Sequence, residues 1–182
     1  MIDFNAPADD VAPLLLGGVV TMGGVSVRLT EVEAYLGAED EAAHTFRGRT
    51  PRNAAMFGPP GRLYVYLSYG IHLAGNIVCA PEGTGQGCLM RAGEVVAGVD
   101  LARERRGDVP FEKLASGPGN LGKALGLSLA DNGTPVPLDL PDAQYLLARG
   151  PFGEEDERRL LLDHRIDAIL SKNSGGAATY GK

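Results

Sequence analysis

The stretch Val25–Tyr35, VSVRLTEVEAY, alternates apolar and polar side chains and decides how this chain folds. Such alternation predicts a strand with one buried face. The pair Gly23-Gly24 lies directly before it, and the apolar runs 14–16 and 19–20 precede that pair. Residues 13 to 36 are therefore predicted to form two strands, joined as a hairpin at the glycines.

The apolar face of the second strand changes sides near Thr30. Apolar residues hold the odd positions up to Leu29 and the even positions from Val32 onward. Either a bulge produces this change, or one end of the strand leaves the core and lines a cleft. In both cases Glu33 and Tyr35 are two residues apart and point to the same side of the sheet.

Local patterns farther along the chain predict a mixed set of elements. Residues 37 to 61 are rich in Gly, Pro, Arg and Asn, which indicates a long ordered loop or short helical turns. Strands are predicted on both sides of Tyr69-Gly70, over 87–96 and over 143–150, and helices over about 95–106 and about 120–127. No linker divides the pattern. We therefore expect one α+β domain over residues 1–182, mostly antiparallel with peripheral helices, and a flexible tail over 171–182.

The composition is that of a globular protein. The 182 residues are 44% hydrophobic and 22% charged, which excludes the disordered and fibrous classes. No apolar run reaches the roughly 18 residues of a membrane span, and the N-terminus begins with acids rather than the basic region of a signal peptide. We expect a cytoplasmic protein with no membrane partner. Cys79 and Cys88 belong to no CxxC or Cys/His cluster, so we expect buried, reduced thiols and no metal site.

The charge of the chain is unevenly distributed. A formal charge of −6 argues against binding nucleic acid through bulk charge. Residues 42 to 81, however, contain no Asp or Glu but four arginines, namely Arg47, Arg49, Arg52 and Arg62. This stretch either presents a local positive face to an anionic partner or is a solvated arginine loop.

Two groups of polar side chains are candidates for chemistry. Glu31 and Glu33 share a strand face about 6 to 7 Å apart at the backbone, which suits the acid and base of a glycosidase but is also common on a solvated face. His44 nearby is either a structural hydrogen-bonding residue or a catalyst. The second group is either a stacking surface for planar rings or a set of residues at the core edge, and it consists of Tyr64, Tyr66 and Tyr69.

Three segments of the chain are long sequence motifs. They are EVEAYLGAEDEAAHTFRGRTPRNAAMFGPPGRLYVYLSYGIHLAGN (31–76), LMRAGE (89–94) and SGPGNLGKALGL (116–127). Together they resemble the alkyladenine (3-methyladenine) DNA glycosylase family, over about residues 17 to 132. The resemblance implies a single mixed domain with a curved antiparallel sheet. It also implies an enzyme that flips a damaged purine out of duplex DNA and hydrolyses its bond to deoxyribose with no metal, no cofactor and no lyase step.

The same resemblance implies a role for each of several residues. Glu33 matches the carboxylate that orients and deprotonates the attacking water, and Arg91 matches the arginine beside that water and the target phosphate. Tyr69 matches the tyrosine that enters the minor groove and fills the space left by the flipped nucleotide. The implied base pocket consists of Tyr35, His44, Tyr66 and Asn76, the last of which clashes with the exocyclic amine of normal guanine. The candidates for phosphate contacts are then Arg47, Arg49, Arg52 and Arg62.

Two parts of the chain fall outside this match. Glu31 has no role of its own in it and is interpreted as a carboxylate on a solvated face. In the C-terminal stretch HRIDAILSKNSGG, Asp167 stands where the family pattern has a glycine, and no PWRF-like strand follows. We expect either another backbone segment to close the base pocket or a more open site.

Three functional hypotheses follow from the sequence. The first is a monofunctional glycosylase of base excision repair that acts as a monomer, close to the nucleoid, on duplex DNA containing alkylated or deaminated purines such as 3-methyladenine or hypoxanthine. The second is a noncatalytic module that binds damaged DNA. The third is a hydrolase of free nucleosides, for which the arginine stretch and Tyr69 have no evident use.

Overall fold

A computed structural model describes residues 2–140 and 153–163 of the chain. Its helices are α1 (Ala8–Leu15), α2 (Val99–Arg106), α3 (Pro118–Leu125) and α4 (Glu154–Asp163). Its strands are β1 (Val19–Met22), β2 (Val25–Tyr35), β3 (Leu63–Ser68), β4 (His72–Cys79), β5 (Gln86–Ala97) and β6 (Leu138–Asp139). Short 3-10 turns lie at Gly37–Glu39, Ala54–Phe57, Phe111–Lys113 and Leu129–Asp131. None of the helices described is long and apolar enough to cross a membrane.

The six strands form one curled sheet in the order β3-β4-β5-β2-β1-β6. All five pairings between neighbouring strands are antiparallel. The predicted α+β class with a curved antiparallel sheet and peripheral helices is therefore confirmed. The predicted strand over 143–150 and the predicted tail over 171–182 lie outside the described residues.

Two hairpins confirm the predicted turns at Gly23-Gly24 and Tyr69-Gly70. β1 and β2 are joined at Gly23-Gly24, where both glycines have positive φ. β3 and β4 are joined at Tyr69-Gly70, and the loop between β2 and β3 contains the first two of the 3-10 turns. Along the chain, the loop 37–62 joins β2 to β3, and the Tyr69-Gly70 turn joins β3 to β4.

The leucines at 14–16 were predicted to belong to a first strand, and that prediction is wrong. The helix α1 ends at Leu15, and the first strand begins only at Val19. The helix buries Ala8, Val11, Ala12 and Leu15, a spacing that puts all four side chains on one face of a helix. The Gln86 side chain also accepts a hydrogen bond from the Ala8 N–H at 3.0 Å, which satisfies one of the free donors of the first turn.

The two other helix predictions are correct in kind but shifted in their bounds. The helix predicted over 95–106 begins at Val99, because residues up to Ala97 continue β5. The helix predicted over 120–127 runs from Pro118 to Leu125 and ends at Gly126, whose left-handed backbone (φ 72°) caps it.

A double irregularity in the β2–β5 ladder explains why the apolar face of β2 changes sides. Leu29 pairs with Gly93 and Glu31 pairs with Ala92, so Thr30 is an extra residue on β2. Val32 then pairs with Met90, so Arg91 is an extra residue on β5. Of the two explanations open from the sequence, a bulge is therefore the one that the structure contains.

The two faces of the sheet are packed differently. One face, with α1 and α3 against it, carries the main core, which includes Leu29, Val32 and Leu63. The opposite face carries a smaller apolar cluster of Met56, Tyr64 and Val78, against which Ala55, Phe57 and Tyr66 pack. The loop between β2 and β3 thus supplies part of the cover for this second face.

The two cysteines lie in the main core as free, buried thiols, as predicted. Their sulfur atoms are 3.8 Å apart on the neighbouring strands β4 and β5. Hydrogen bonding to Cys79, followed by burial, raises the pKa of the Cys88 thiol well above its usual value. Both features favour a packing role for the pair in the reduced state.

We predict that Gly122→Ala destabilises the protein by about 1 to 3 kcal/mol. Gly122 lies in α3 where it packs on β4, and an added Cβ would overlap the carbonyl oxygen of Leu73. Urea unfolding measures the effect, and Lys123→Ala on the exposed side of α3 is the control. Intrinsic helix propensity alone favours alanine over glycine by about 1 kcal/mol. A Gly122→Ala protein as stable as the wild type, or more so, therefore contradicts the close approach.

Candidate active site

A row of four side chains crosses the sheet at the centre of the candidate site. Glu33 on β2 is paired with Leu89 on β5. Leu89 is paired in turn with Asn76 on β4, which is paired with Tyr64 on β3. Directly paired residues of antiparallel strands send their side chains to the same face of a sheet. The catalytic and pocket candidates therefore share the face that carries the smaller apolar cluster.

Arg91 is held between two carboxylates on this face. Its Nη1 donates a hydrogen bond of 2.7 Å to Oε2 of Glu33. Its Nε lies 3.0 Å from Oε1 of Glu31. The hydrogen bond to Glu33 is the main cause that raises the pKa of Arg91, so the guanidinium stays charged. Glu31, interpreted from the sequence as solvated, is half exposed but is paired with Arg91.

Three rings form an aromatic wall beside these groups. The centroids of His44 and Tyr66 are 4.5 Å apart with the ring planes almost perpendicular, at 84°. Tyr64 and Tyr66 stack with centroids 5.5 Å apart and an angle of 21° between the planes. Nδ1 of His44 also lies within hydrogen-bond distance, 3.3 Å, of the Tyr64 hydroxyl. Edge-to-face and offset contacts of this kind are the favoured arrangements of aromatic rings.

Burial raises the pKa of the tyrosine hydroxyls that face this space. Tyr35 has its pKa raised to about 12, first by burial and then by the charge of Glu33 and by Tyr66. Burial followed by the charge of Glu33 likewise raises the pKa of Tyr66. Both hydroxyls are therefore neutral at physiological pH. Tyr35 lies two residues from Glu33 on β2, and Tyr66 lies two residues from Tyr64 on β3, so both tyrosines share the sheet face of Glu33.

The loop that carries His44 is fixed by buried hydrogen bonds. The Asn53 amide donates to the backbone carbonyls of His44 (2.9 Å) and Gly48 (3.1 Å). Its Oδ1 accepts a hydrogen bond from the Thr50 N–H at 2.6 Å. The Thr45 hydroxyl donates to the Gly85 carbonyl at 2.7 Å. These contacts hold the loop in one conformation, so that His44 meets the tyrosines at a defined angle.

Asn76 is buried at the floor of the site. Only 3% of it is exposed, and its amide nitrogen donates to the Tyr64 carbonyl across the β3–β4 pair at 3.3 Å. This bond fixes the direction of the amide. The side chain is therefore a rigid polar group next to the aromatic wall.

Tyr69 lies at the tip of the β3–β4 hairpin and is 96% exposed. It has a positive φ of 49°, followed by Gly70 with φ 73°, and the Ile71 N–H donates to the Ser68 carbonyl at 3.1 Å. Positive φ at both central residues is typical of a type I′ turn. A non-glycine residue in this region costs about 1 kcal/mol or more. The hairpin therefore presents a large ring to solvent on a constrained turn.

The four arginines predicted to contact phosphates occupy different environments. Arg47 and Arg49 are exposed in the loop. Arg52 is exposed as well, and its guanidinium donates to the Leu67 carbonyl near the hairpin tip at 3.0 Å. Arg62 is half buried and donates to the Gly133 carbonyl at 2.8 Å. The first three leave charge available on the surface, whereas part of the Arg62 guanidinium is used within the fold.

The structure thus brings most of the predicted site residues to one face. Glu31, which the sequence offers as a candidate and then assigns to a solvated face, is paired with Arg91. Asn53 is the residue that the sequence analysis misses, and its only sequence signal is that its hydrogen-bond partners lie nearby, within residues 44–50. The segment with Asp167 lies outside the described residues. Within 2–140 and 153–163, no three His, Cys, Asp or Glu side chains are grouped to hold a metal ion.

Comparison with known proteins identifies the class of protein to which this fold and site belong. A family model described as methylpurine-DNA glycosylase (MPG) matches residues 2–168. A protein of Corynebacterium efficiens named "Putative 3-methyladenine DNA glycosylase" is 71% identical over 135 residues, which are 74% of this chain and 71% of that protein. Proteins with the same name from Cutibacterium acnes and Frankia casuarinae are 58% and 50% identical, over 75% and 84% of this chain and 71% and 75% of theirs.

The chain therefore belongs to the methylpurine-DNA glycosylase family. It is a DNA glycosylase, a hydrolase of N-glycosyl bonds whose partner is DNA. The resemblance seen in the sequence is confirmed.

We predict that His44 titrates below its usual pKa of 6.5 and that Arg52→Gln raises this value toward 6.5. Burial is the main cause that lowers the pKa of His44, and the charge of Arg52 is the second. Because the folded state favours the neutral ring, His44 contributes stability above pH 6.5 that is lost as the pH falls below that value.

Ring NMR signals of His44 followed against pH measure this shift. Arg49→Gln, which removes an exposed arginine of the same loop, is the control and leaves the titration unchanged. Titration of His44 at or above pH 6.5 in the wild type, or a lower value in Arg52→Gln, contradicts the prediction.

Proposed function

We propose that this protein is a monofunctional DNA glycosylase that removes alkylated or deaminated purines from duplex DNA by base flipping. The observation that carries the proposal is the Arg91–Glu33 pair on the same sheet face as the aromatic wall of His44 and Tyr66. Such a site combines a carboxylate for activating water with rings against which a planar base can stack. We further propose that the chain acts as one domain and as a monomer.

Glu33 carries the chemistry in this proposal. Its Oε2 accepts the hydrogen bond from Arg91, so we assign Oε1 to the attacking water. As the water oxygen bonds to C1′ of the deoxyribose, the carboxylate takes the water proton. The electron pair of the N-glycosidic bond leaves with the base, and the products are the free base and an abasic site. The same negative charge stabilises the oxocarbenium-like transition state.

The base slot is proposed to lie among Tyr35, His44 and Tyr66. The hydroxyls of both tyrosines and the His44 ring are neutral at physiological pH, for the reasons given above. Electron-rich rings without positive charge attract a cationic purine such as 3-methyladenine. Asn76, held by its bond to Tyr64, is proposed to exclude the exocyclic amine of guanine. Neutral lesions such as hypoxanthine need additional hydrogen bonds or protonation of the leaving base.

The DNA surface is proposed to consist of the β3–β4 hairpin and the arginine loop. Removing a base from the stack costs a few kcal/mol, which an inserted side chain can offset by taking its place. Tyr69 is the exposed ring at the hairpin tip. The proposed phosphate contacts, which position the duplex without reading its sequence, are Arg47, Arg49, Arg52 and Arg62.

We predict that Glu33→Gln lowers the single-turnover rate of base release by roughly 100-fold or more, because it removes both the base and the negative charge. The measurement is abasic-site formation in duplex oligonucleotides that contain hypoxanthine or ethenoadenine, and in methylated DNA. Gln retains the shape and the acceptor for Arg91, so binding of lesion DNA is expected to stay within a few-fold of wild type.

Other outcomes select the other hypotheses. If the wild type holds lesion DNA more tightly than undamaged DNA yet releases no base, the protein is a noncatalytic binding module. Turnover of free nucleosides without DNA selects the nucleoside hydrolase. Equal rates of base release from wild type and Glu33→Gln contradict the assignment of Glu33.

We predict that Tyr69→Asn lowers base release from duplex DNA by about tenfold or more, whereas Tyr69→Phe retains most of the activity. Asn tolerates the positive φ of this turn better than other side chains, so the variant removes the ring while keeping the hairpin. Release from single-stranded DNA serves as the internal control, since no stacked partner strand has to be held open there. A loss that is equal on both substrates, or equal in Asn and Phe, contradicts the wedge assignment.

A further inference from the structure

Arg91 is the single cation of a three-residue cluster with two carboxylates, Glu31 and Glu33. Its two contacts use different nitrogens, Nε for Glu31 and Nη1 for Glu33. The formal charges, two negative and one positive, sum to minus one when all three groups are ionised. Without Glu31 the remaining pair would be neutral.

We propose that Glu31 is a positioning residue of the active site, which fixes the Arg91 guanidinium and keeps Arg91 from fully neutralising Glu33. This inference rests on the proposed function, because it assigns Glu31 a part in the reaction that Glu33 carries out. Glu31 acts only through Arg91 and does not touch the substrate.

The backbone at this point supports the role. Thr30 and Arg91 are the extra residues of the two compensating bulges, and Glu31 is paired with Ala92 between them. A bulge re-aims the side chains around it and leaves its extra residue without a partner in the ladder. The long Arg91 side chain is therefore not fixed by strand pairing at its own position, and the carboxylates on β2 determine where the guanidinium lies.

The contact at Nε of Arg91 is made by Glu31 and not by Glu33. This nitrogen is buried and has no acceptor in good hydrogen-bond geometry among the residues described, and Glu31 Oε1 lies 3.0 Å from it. Glu31 and Arg91 therefore attract each other as an ion pair. Glu31 acts on Nε, the nitrogen that Glu33 does not contact. Two contacts on different edges of a planar guanidinium restrict both its position and its rotation.

The charge balance matters for the chemistry. The transition state of N-glycosidic bond cleavage carries positive charge on the sugar, which a nearby carboxylate stabilises. This stabilisation is weaker when a cation neutralises the carboxylate and no second carboxylate shares the charge of that cation. Glu31 shares the charge of Arg91 and thereby leaves more of the Glu33 charge for the sugar. All three side chains are partly exposed, with 52% of Glu31, 39% of Arg91 and 41% of Glu33 accessible. Solvent therefore screens the effect to a moderate size.

The experiment is a double-mutant cycle on single-turnover base release with the full chain and lesion-containing duplex DNA. Glu31→Gln is expected to slow the chemical step on the order of tenfold, which is about 1.4 kcal/mol of transition-state stabilisation. Lesion-DNA binding and the thermal midpoint are expected to change little, since exposed ion pairs contribute little to stability. Glu31→Asp, which keeps the charge, is expected to recover part of the rate.

The same substitution in an Arg91→Gln background is expected to change the rate less than about twofold, because the effect passes through Arg91. The matched control is Glu94→Gln, which removes an exposed carboxylate from β5 and is expected to leave the rate unchanged. A Glu31→Gln rate equal to wild type, or an equal loss with and without Arg91, overturns the inference.

A second readout separates this inference from the proposed function. The Arg91 Nε–H proton, observed by NMR, is expected to exchange with solvent faster in Glu31→Gln than in the wild type or Glu94→Gln. If the wild type releases no base, the proposed function fails and the catalytic part of the inference fails with it. If base is released but Nε–H exchange is the same in Glu31→Gln and wild type, only the positioning role fails.

Discussion

The pairing of β2 with β5 is the constraint on which the rest of the structure depends. An uninterrupted alternation would put Glu31 and Glu33 on the same face as Val27 and Leu29, against the main core. The extra residue Thr30 on β2 moves the later odd positions to the opposite face. The extra residue on β5 restores the register, so the two strands remain paired on both sides of the irregularity. A single sheet thus has a continuous core on one face and carboxylates on the other.

The loop between β2 and β3 covers part of the opposite face and carries His44 to it. Met56 from this loop forms an apolar cluster with Tyr64 and Val78, and Phe57 and Tyr66 pack against that cluster. Burial on this face is the main cause that raises the pKa values of Tyr64 and Tyr66. The hydrogen bonds of Asn53 hold the same loop where it carries His44. The loop therefore places the His44 ring on one side of the candidate site, while the Arg91–Glu33 pair on β2 and β5 remains partly exposed.

Much of this arrangement could be predicted from local sequence, and the exceptions have physical causes. The strands around Val25–Tyr35 and Tyr69-Gly70 have period-two patterns and glycine turns, which are local signals. The sequence pattern does not predict α1, although Ala8, Val11, Ala12 and Leu15 have helical spacing, because the leucine run that follows Pro13 also fits an extended strand.

In the site, too, the features that depend on one strand can be predicted, whereas the contacts between two strands cannot. The common side of Glu33 and Tyr35 follows from strand geometry alone. The pairing of Arg91 with Glu31 does not, because the two residues lie far apart in sequence and their contact depends on which residues are extra in each strand. The resemblance to a family implies that Glu33 acts on the attacking water and that Arg91 lies beside that water. The contact of Arg91 with Glu31, and hence the net charge of the three-residue cluster, follows only from the strand register. Long-range pairing that is offset by a bulge cannot be predicted from the pattern of either strand alone.

The charge distribution of the molecule reconciles an acidic chain with a DNA partner. At physiological ionic strength, exposed charges act over about 8 Å, so the potential that a phosphate meets is set by its near neighbours and not by the total of −6. Residues 42–81 contain only basic charges and include both the arginine loop and the Tyr69 hairpin. The net negative cluster of Glu31, Arg91 and Glu33 lies on other strands. Under the proposed function, a phosphate is attracted to the loop and hairpin, while the carboxylates keep negative charge where positive charge is proposed to develop on the sugar.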